Sequence, residues 1–382
     1  MGITLIPIPL FFSQGQIQHL IKDAGIEAIL CEHFDPEIFT IKDSIKLDKI
    51  QLTLLDNPHK PDEVQLNEVA KITYTSGSTG QPKGVCLSIE NIENVSLALA
   101  KTIENHGIKH HLCIMPLATL LENIAGIYVP LIMGNSIQIE PLSKLGFHQS
   151  SQFNPDQLAA CIEDCQPDSL ILLPQLLKSL IQLKQANPEY FKSLKFAAVG
   201  GGKSAQSALE EAHQLGLPVY EGYGLSECAA TVSLNTPEQN KPGSVGKILS
   251  HTQVRIDETG EIIVSGQAML GYLHHNNLNQ VQQKNEIHTG DLGYLDEEGY
   301  LYISGRRKNL IVSSFGRNIA PEWVESELLH CPHITQVAVF GDAKPWLSAI
   351  ITVAKHTSDA QVQITLNRIN VSLPDYAHIK SW

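Results

Sequence analysis

Between its serine and its proline, the segment Ser169-Leu-Ile-Leu-Leu-Pro174 holds no polar residue. A strand apolar on both faces needs cover on both faces, which is the condition of a parallel sheet sandwiched between helices. The neighbouring segments agree. Asn154-Pro155 opens a helical stretch through Ala160 and Cys161 that leads into this run, and a further helical stretch leads to Lys195-Phe-Ala-Ala-Val199. Ser13 to Gly25 reads as a capped helix with Ile17, Leu20 and Ile21 on one side, followed by the short apolar strand Glu27-Ala-Ile-Leu-Cys31. This alternation predicts an α/β fold built on a parallel sheet. Ligand-carrying loops are then expected at strand carboxyl ends, where Thr75–Gly84 and Gly200-Gly-Gly202 are assigned.

From about Pro242 the pattern changes to strands and tight turns, among them Gln253-Val-Arg-Ile-Asp257, Glu261-Ile-Ile-Val264 and Tyr300-Leu-Tyr-Ile303. After Arg306-Arg-Lys308 comes a smaller α+β pattern, with a strand at Leu310-Ile-Val312, a helix opening at Pro321 and strands around Val337–Phe340 and Ala349–Val353. A chain of 382 residues exceeds what one core supports, so one large domain plus a small one is expected, and the patterns divide them into three parts. They are an α/β part over 1–241, a β-rich subdomain over 242–307 and a small α+β domain over 308–382, with Lys308 at the boundary.

A formal charge of −13 excludes nucleic acid and anionic membrane surfaces as natural partners, since both demand basic surface. No apolar run reaches spanning length and the opening residues lack a basic leader, which predicts a cytoplasmic protein. Seven scattered cysteines fit reduced thiols. Cys161 and Cys165 lie four apart on a helix without a second Cys/His pair, and are assigned to packing. His110-His111 and His274-His275 are adjacent, and neighbouring side chains of an extended segment point to opposite faces, so neither pair is a natural chelate.

Three segments carry chemistry. Tyr74-Thr-Ser-Gly-Ser-Thr-Gly-Gln-Pro-Lys-Gly84 follows a strand-like run with glycines, hydroxyls and one lysine. Glycines let successive N–H groups turn toward one anion, and Lys83 adds a mobile positive charge, so the segment suits polyphosphate. It is not a Walker loop, because Pro82 stands where that motif needs glycine. The others are Tyr223-Gly-Leu-Ser-Glu227 and the run from Thr289-Gly-Asp291 through Gly305-Arg-Arg-Lys308.

Together, in this order, these motifs resemble the adenylate-forming superfamily of acyl-CoA synthetases, aryl-CoA ligases, luciferases and peptide-synthetase adenylation domains. The resemblance implies that Thr75, Ser76, Gly77, Ser78, Thr79, Gly80 and Lys83 close over the ATP phosphates. It implies that Gly201 and Gly202 line the adenine, that Tyr223 stacks on it within the Tyr223, Gly224, Leu225, Ser226 turn, and that Ser226 offers a hydroxyl near the α-phosphate. Glu227 then holds Mg²⁺, Asp291 takes the ribose hydroxyls and Arg306 binds ribose and phosphate. Lys308 falls at the family's hinge, and Gly316 resembles the glycine bordering the pantetheine channel. Thr79, Lys83, Glu227 and Lys308 are thereby expected to be catalytic, with ATP, Mg²⁺ and CoA as cofactors.

Leu112-Cys-Ile-Met-Pro-Leu-Ala-Thr-Leu-Leu-Glu122 resembles the acyl-pocket entry of long-chain fatty acyl-CoA synthetases, with Thr119 where they usually carry histidine. Leu117, Leu120, Leu121, Ile124 and Ile127 are candidates for a hydrophobic tunnel, with core packing the competing assignment. Relative to the family, a helical region before Met1 and the terminal lysine motif after Trp382 are not in this sequence, and Lys380 is not that lysine by context. Three readings stand: adenylation of an apolar carboxylic acid followed by transfer to CoA, adenylation with a carrier-protein or amine acceptor, and a nucleotide-binding pseudoenzyme. Self-association or a complementing chain is the expected partner beyond the small molecules.

Overall fold

The computed structural model describes residues 3–9, 12–32, 39–58, 68–75, 82–149, 152–266, 268–274 and 286–382. Its largest sheet has seven strands, in spatial order Lys247–Ile248, Ser233–Leu234, Val219–Tyr223, Phe196–Val199, Ser169–Leu172, His110–Cys113 and Ser136–Ile139. The five from Val219–Tyr223 to Ser136–Ile139 are parallel, as their apolar composition predicts. The two remaining strands, at one edge of this parallel sheet, are antiparallel. A tight turn after Tyr223 returns the chain alongside itself, and two-residue strands there need no crossover helix.

Helices Pro155–Cys165, Pro174–Ala186 and Gln206–Gln214 pack their apolar sides into one core with the central strands. The Pro155–Cys165 helix begins as its sequence dictates: Asn154 Oδ1 accepts the N–H groups of Asp156 and Gln157, and Pro155 fills a position whose N–H would be orphaned. Cys161 is buried in this core, with its sulfur 4.0 Å from that of Cys165. The Ile89–Ile103 helix, a π-helical turn over Glu122–Tyr128 and the short Val129–Ile132 helix supply a second core with strands of the β-rich part.

Two local assignments change. The strand Ala28–Cys31 pairs antiparallel with Ile50–Leu55 in a separate three-stranded sheet, so the first helix–strand repeat is not a parallel crossover unit. Lys71–Thr75 and Lys83–Leu87 form an antiparallel hairpin, with Gly271–Tyr272 added as a third strand. The phosphate-type loop is therefore a hairpin link rather than the carboxyl end of a parallel strand. Residues 76–81 of that loop lie outside the described residues, and with them Ser76, Gly77, Ser78, Thr79 and Gly80.

Thr252–Ile256, Glu261–Gly266, Glu286–Leu295 and Leu301–Arg306 form the expected antiparallel sheet. Lys308 sits in the exposed turn Arg307–Asn309 that follows it. Gly316, at φ 71, closes the turn between Ile311–Val312 and Asn318–Ile319. The rest of the chain packs the helices Pro321–His330 and Asp359–Ser372 with the strands Ile334–Phe340, Leu347–Val353 and Ile379–Ser381 around a core of its own. No helix among the described residues is long and apolar enough to cross a membrane.

Candidate active site

A cavity of about 220 Å³ opens where the parallel strands end. Gly200, Gly201, Tyr223, Gly224, Leu225 and Ser226 line it at that end, and Leu99, Ile103, Met133 and Phe196 are among the apolar side chains of its wall. Gly201 has φ +77, the left-handed region that favours glycine. Gly202 is exposed and a Cβ there would meet only Pro174 at ordinary contact distance, so the structure does not place it in the cavity wall. Of the five tunnel candidates, Leu120 and Leu121 line the cavity. Ile124 is buried in the second core, and Leu117 and Ile127 are not among the lining residues. Thr119 lines the cavity.

The turn after Tyr223 is shaped by backbone crowding. A Cβ on Gly224 would stand 1.6 Å from the Ala230 carbonyl oxygen, so glycine is required there by the chain folding back on itself. Ser226–Cys228 is a single 3₁₀ turn, and the alanines after it have φ 53 and 93. Left-handed backbone at non-glycine residues costs roughly 1–2 kcal/mol per residue, and such strain concentrates at functional sites.

Tyr223 donates its hydroxyl proton to Asp291 Oδ2 at 2.7 Å, and Arg306 Nε lies 2.8 Å from Asp291 Oδ1. The antiparallel register that makes Asp291 and Arg306 partners across two strands produces this arrangement. Thr289 Oγ1 accepts the Asp291 N–H and donates to the Ile262 carbonyl, fixing the backbone of the aspartate. Burial raises the Asp291 carboxyl above its ordinary value, against the opposing pull of Tyr223 and Arg306. Burial first, then the Asp291 charge, pushes the Tyr223 phenol up, so it remains a proton donor.

A second cluster forms at Glu227, four residues after Tyr223. Tyr272 donates to Glu227 Oε1 at 2.6 Å, and the Lys83 ammonium stands 5.3 Å from the Tyr272 ring centre. Thr75 is the register partner of Lys83, so both residues flank the hairpin link. The cluster exists because Tyr272 pairs with Val85, next to Gly84. Burial and the Glu227 contact push the Tyr272 phenol up. The structure thus links Lys83 and Glu227 through Tyr272, with Thr75 across the hairpin from Lys83, and joins Tyr223, Asp291 and Arg306 in the first cluster. Lys308, exposed in its turn, has no contact with either cluster among those described.

Sequence reasoning did not single out Tyr272, Thr289, or the buried group His111, Glu122 and Ser169. The last three join in one chain: His111 Nδ1 to Ser169 Oγ at 2.8 Å, and His111 Nε2 to Glu122 Oε1 at 3.2 Å. His110 and His111 do face opposite ways, but alternation puts His111 and Cys113 on one face. Ligand atoms of His111, Cys113 and Glu122 lie within 4.8 Å of one another.

A family model described as AMP-binding enzyme matches residues 1–273. Among curated proteins, the 2-succinylbenzoate–CoA ligase of Bacillus velezensis is 32% identical over 295 residues, covering 74% of this chain and 58% of that protein. The enzyme of the same name from Bacillus subtilis is 30% identical over 346 residues, covering 86% and 66%. The chain therefore spans about three fifths of the length of such relatives. Among solved structures, o-succinylbenzoate coenzyme A synthetase from Bacillus subtilis, in complex with ATP and magnesium, superposes with a TM-score of 0.75 at 24% identity. That match covers 98% of this chain and 79% of the other. The anthranilate CoA ligase AuaEII with anthranoyl-AMP gives 0.70 at 18% identity, covering 86% and 64%. These structural likenesses show the fold. The named relatives are aryl-acid ligases, so the long-chain fatty acyl resemblance is not the one these matches carry.

Proposed function

The chain belongs to the AMP-binding enzyme family, and from that premise we propose that it activates a carboxylic acid as its acyl-adenylate and passes the acyl group to CoA. The observation that carries the reading is the Tyr223–Asp291–Arg306 cluster standing beside the mouth of an apolar cavity. A carboxylate is a poor electrophile. Its oxygen attacks the α-phosphorus of ATP, pyrophosphate leaves, and the resulting anhydride yields its acyl carbon to a thiol with AMP as leaving group. The protein contributes position and charge neutralisation.

In this reading adenine lies between Tyr223 and the Gly200–Gly201 backbone. Asp291 offers two acceptor oxygens to the two ribose hydroxyls, its backbone already fixed by the Thr289 hydroxyl. Arg306 reaches ribose and phosphate, and the hairpin link with Thr75 and Lys83 at its ends grips the outer phosphates. Glu227, a half-buried carboxylate oriented by a phenol, fits Mg²⁺, which binds through one or two carboxylates plus substrate phosphates. When bound, that ion neutralises phosphate charge. Lys308 serves as the pivot for the part beyond it, and Gly316 borders the path of the thiol.

The acid has an apolar or aromatic body, and the names of the relatives make 2-succinylbenzoate the first candidate, in place of a plain fatty acid. Carboxylate-dependent exchange of labelled pyrophosphate into ATP tests the first step, and adding CoA tests the second. ATP binding without exchange for any acid, 2-succinylbenzoate included, would overturn the reading in favour of a nucleotide-binding protein. Thioester appearing only with a carrier protein in place of CoA would reassign the acceptor.

A further inference from the structure

The wall of the acid cavity contains a buried polar chain that an apolar pocket does not need. His111 and Ser169 are register partners on adjacent parallel strands, and both line the cavity. Behind them Glu122 has no exposed surface. Its Oε1 takes the His111 ring nitrogen and its Oε2 takes the Met115 N–H at 3.1 Å. Space for this contact is built in. A Cβ on Gly126 would stand 2.2 Å from Glu122 Oε1 and 2.9 Å from His111 Nε2, so glycine in the π-helical turn is what lets carboxylate and ring meet.

Burying a carboxylate and an imidazole costs several kcal/mol more than burying leucines of the same volume, unless each is bonded. Here each is bonded, and the ring orientation is fixed by the partner of each nitrogen. The outcome of that fixing is Ser169. Its hydroxyl, held by His111 Nδ1 in a residue that lines the cavity, has hydrogen-bonding capacity left over, since a hydroxyl has one proton and two lone pairs. A role confined to core packing would keep the pair away from the cavity surface.

The depth of the contact follows from the sheet. Gly200 at the mouth donates its N–H to Leu172, and Ser169 lies three strand residues below Leu172, about 10 Å at the usual rise. We propose that His111 and Ser169, positioned by Glu122, form a distal polar subsite, and that the preferred acid carries an oxygen function on its body, remote from the carboxyl that is adenylated. A hydroxyl, a ketone or a second carboxylate shares the required chemistry. Ser169 and His111 contact the ligand, and Glu122 is a positioning residue acting through the ring. The inference rests on the adenylation reading and deepens it. A pocket built to hydrogen-bond a substrate oxygen rejects an analogue lacking it far more strongly than apolar walls distinguish one methylene.

The test uses the full chain with ATP and Mg²⁺ and acids of equal length spanning the cavity: a straight-chain monocarboxylate, its ω-hydroxy and ω-oxo analogues, and the α,ω-diacid. The expected result is a kcat/KM for exchange at least about 10-fold higher for one of the oxygenated acids than for the plain acid. The preferred analogue identifies the oxygen function. Ser169→Ala and His111→Phe bring that ratio toward one, and Glu122→Gln lowers it, a selective change that general loosening of the fold would not produce. A wild-type ratio at or below one, or a ratio surviving in Ser169→Ala, overturns the proposal. If no acid supports exchange, calorimetric binding of the same acids to the chain with AMP decides. Equal affinities overturn the subsite, while missing exchange counts separately against adenylation.

Discussion

Tyr272 and Glu227 meet through a 2.6 Å hydrogen bond from phenol to carboxylate, although 45 residues separate them. The phenol reaches the carboxylate because Gly271–Tyr272 adds a strand to the Lys83–Leu87 hairpin. The backbone reinforces the contact, since the Met269 N–H donates to the Glu227 carbonyl at 2.7 Å. One tyrosine thereby ties the carboxylate proposed for Mg²⁺ to the lysine proposed for phosphate.

Tyr272→Phe removes that donor and keeps the ring under Lys83. A hydrogen bond to a charged group contributes roughly 1.5–3 kcal/mol, so the rate of carboxylate-dependent pyrophosphate exchange is expected to fall about 10-fold or more. Because the phenol orients the carboxylate, the Mg²⁺ concentration for half-maximal exchange rises as well. A variant with wild-type rate and wild-type Mg²⁺ dependence would remove Tyr272 from the site.

Asp291 is 3% exposed, and burial raises its carboxyl above the ordinary value of 3.8. A carboxyl raised in the folded state contributes stability below its unfolded value and loses it as pH rises through the folded one. At neutral pH the charge is thus a cost to the fold, which its proposed role at the ribose would explain. Asp291→Asn is expected to melt no lower than wild type at pH 7, while the ATP-dependent rise in Tm disappears. As pH falls toward 3.8 wild type gains on the variant. Thermal melts with and without ATP across that range check both halves. A variant that melts lower and still responds to ATP contradicts both.

What the sequence disclosed follows from the range of the interactions involved. Ser169–Leu172 and Phe196–Val199 were legible because their burial on both faces is written in consecutive residues. Tyr223, Asp291 and Arg306 were legible as motifs, and their convergence rests on a strand register that places Asp291 opposite Arg306. Tyr272 was not legible, since nothing in Gly271-Tyr272 itself signals pairing with Val85. Glu122 stood only as the end of the Leu112–Glu122 segment, and nothing in that segment signals the π-helical turn that opens at Glu122 and the bond from its carboxylate to His111. The parallel assignment failed for Ala28–Cys31 because a short apolar strand after a helix has the same local pattern in either direction. Gly224 carries a different lesson: its glycine serves the Ala230 carbonyl of its own turn.

Lys71 is almost fully buried, donating to Asn123 and to Tyr128 Oη at 2.9 Å, with its ammonium 4.6 Å from the Tyr128 ring centre. Burial lowers its value from 10.5 to about 8. Between those limits the unfolded chain binds more protons than the folded one, so this group makes stability rise with pH. Below about 8 both states are charged and the burial cost is present in full. Lys71→Met has no such titration. Its Tm relative to wild type should therefore fall as pH is raised from about 8 toward 10.5. A Tm difference constant over that window would mean that Lys71 titrates normally.

Lys178 holds the residues beyond 308 against the large sheet's helical layer. Its ammonium donates to the carbonyls of Leu329, Cys331 and Ile334 at 2.7, 2.7 and 2.9 Å, at the carboxyl end of the Pro321–His330 helix, where the helix dipole favours a cation. The reciprocal contact comes from Glu327, which accepts the Gln206 N–H and the Ser207 hydroxyl at the start of the Gln206–Gln214 helix. Glu211 and His330 add a third link at 2.6 Å. Burial disfavours the Lys178 charge, so the carbonyls are what make it tolerable there. Lys178→Met leaves three carbonyls without their donor, and at about 1–3 kcal/mol for a lost buried partner the docking should weaken by a factor of about five or more. Limited proteolysis near 307–317 is expected to accelerate accordingly, with Tm lowered by a few degrees. Because the proposed pivot at Lys308 requires this contact to break in every turnover, the same variant should shift the balance between adenylation and thioester formation measured in separate assays. Unchanged proteolysis together with unchanged partition between the two steps would show that the clamp does not govern the position of this part.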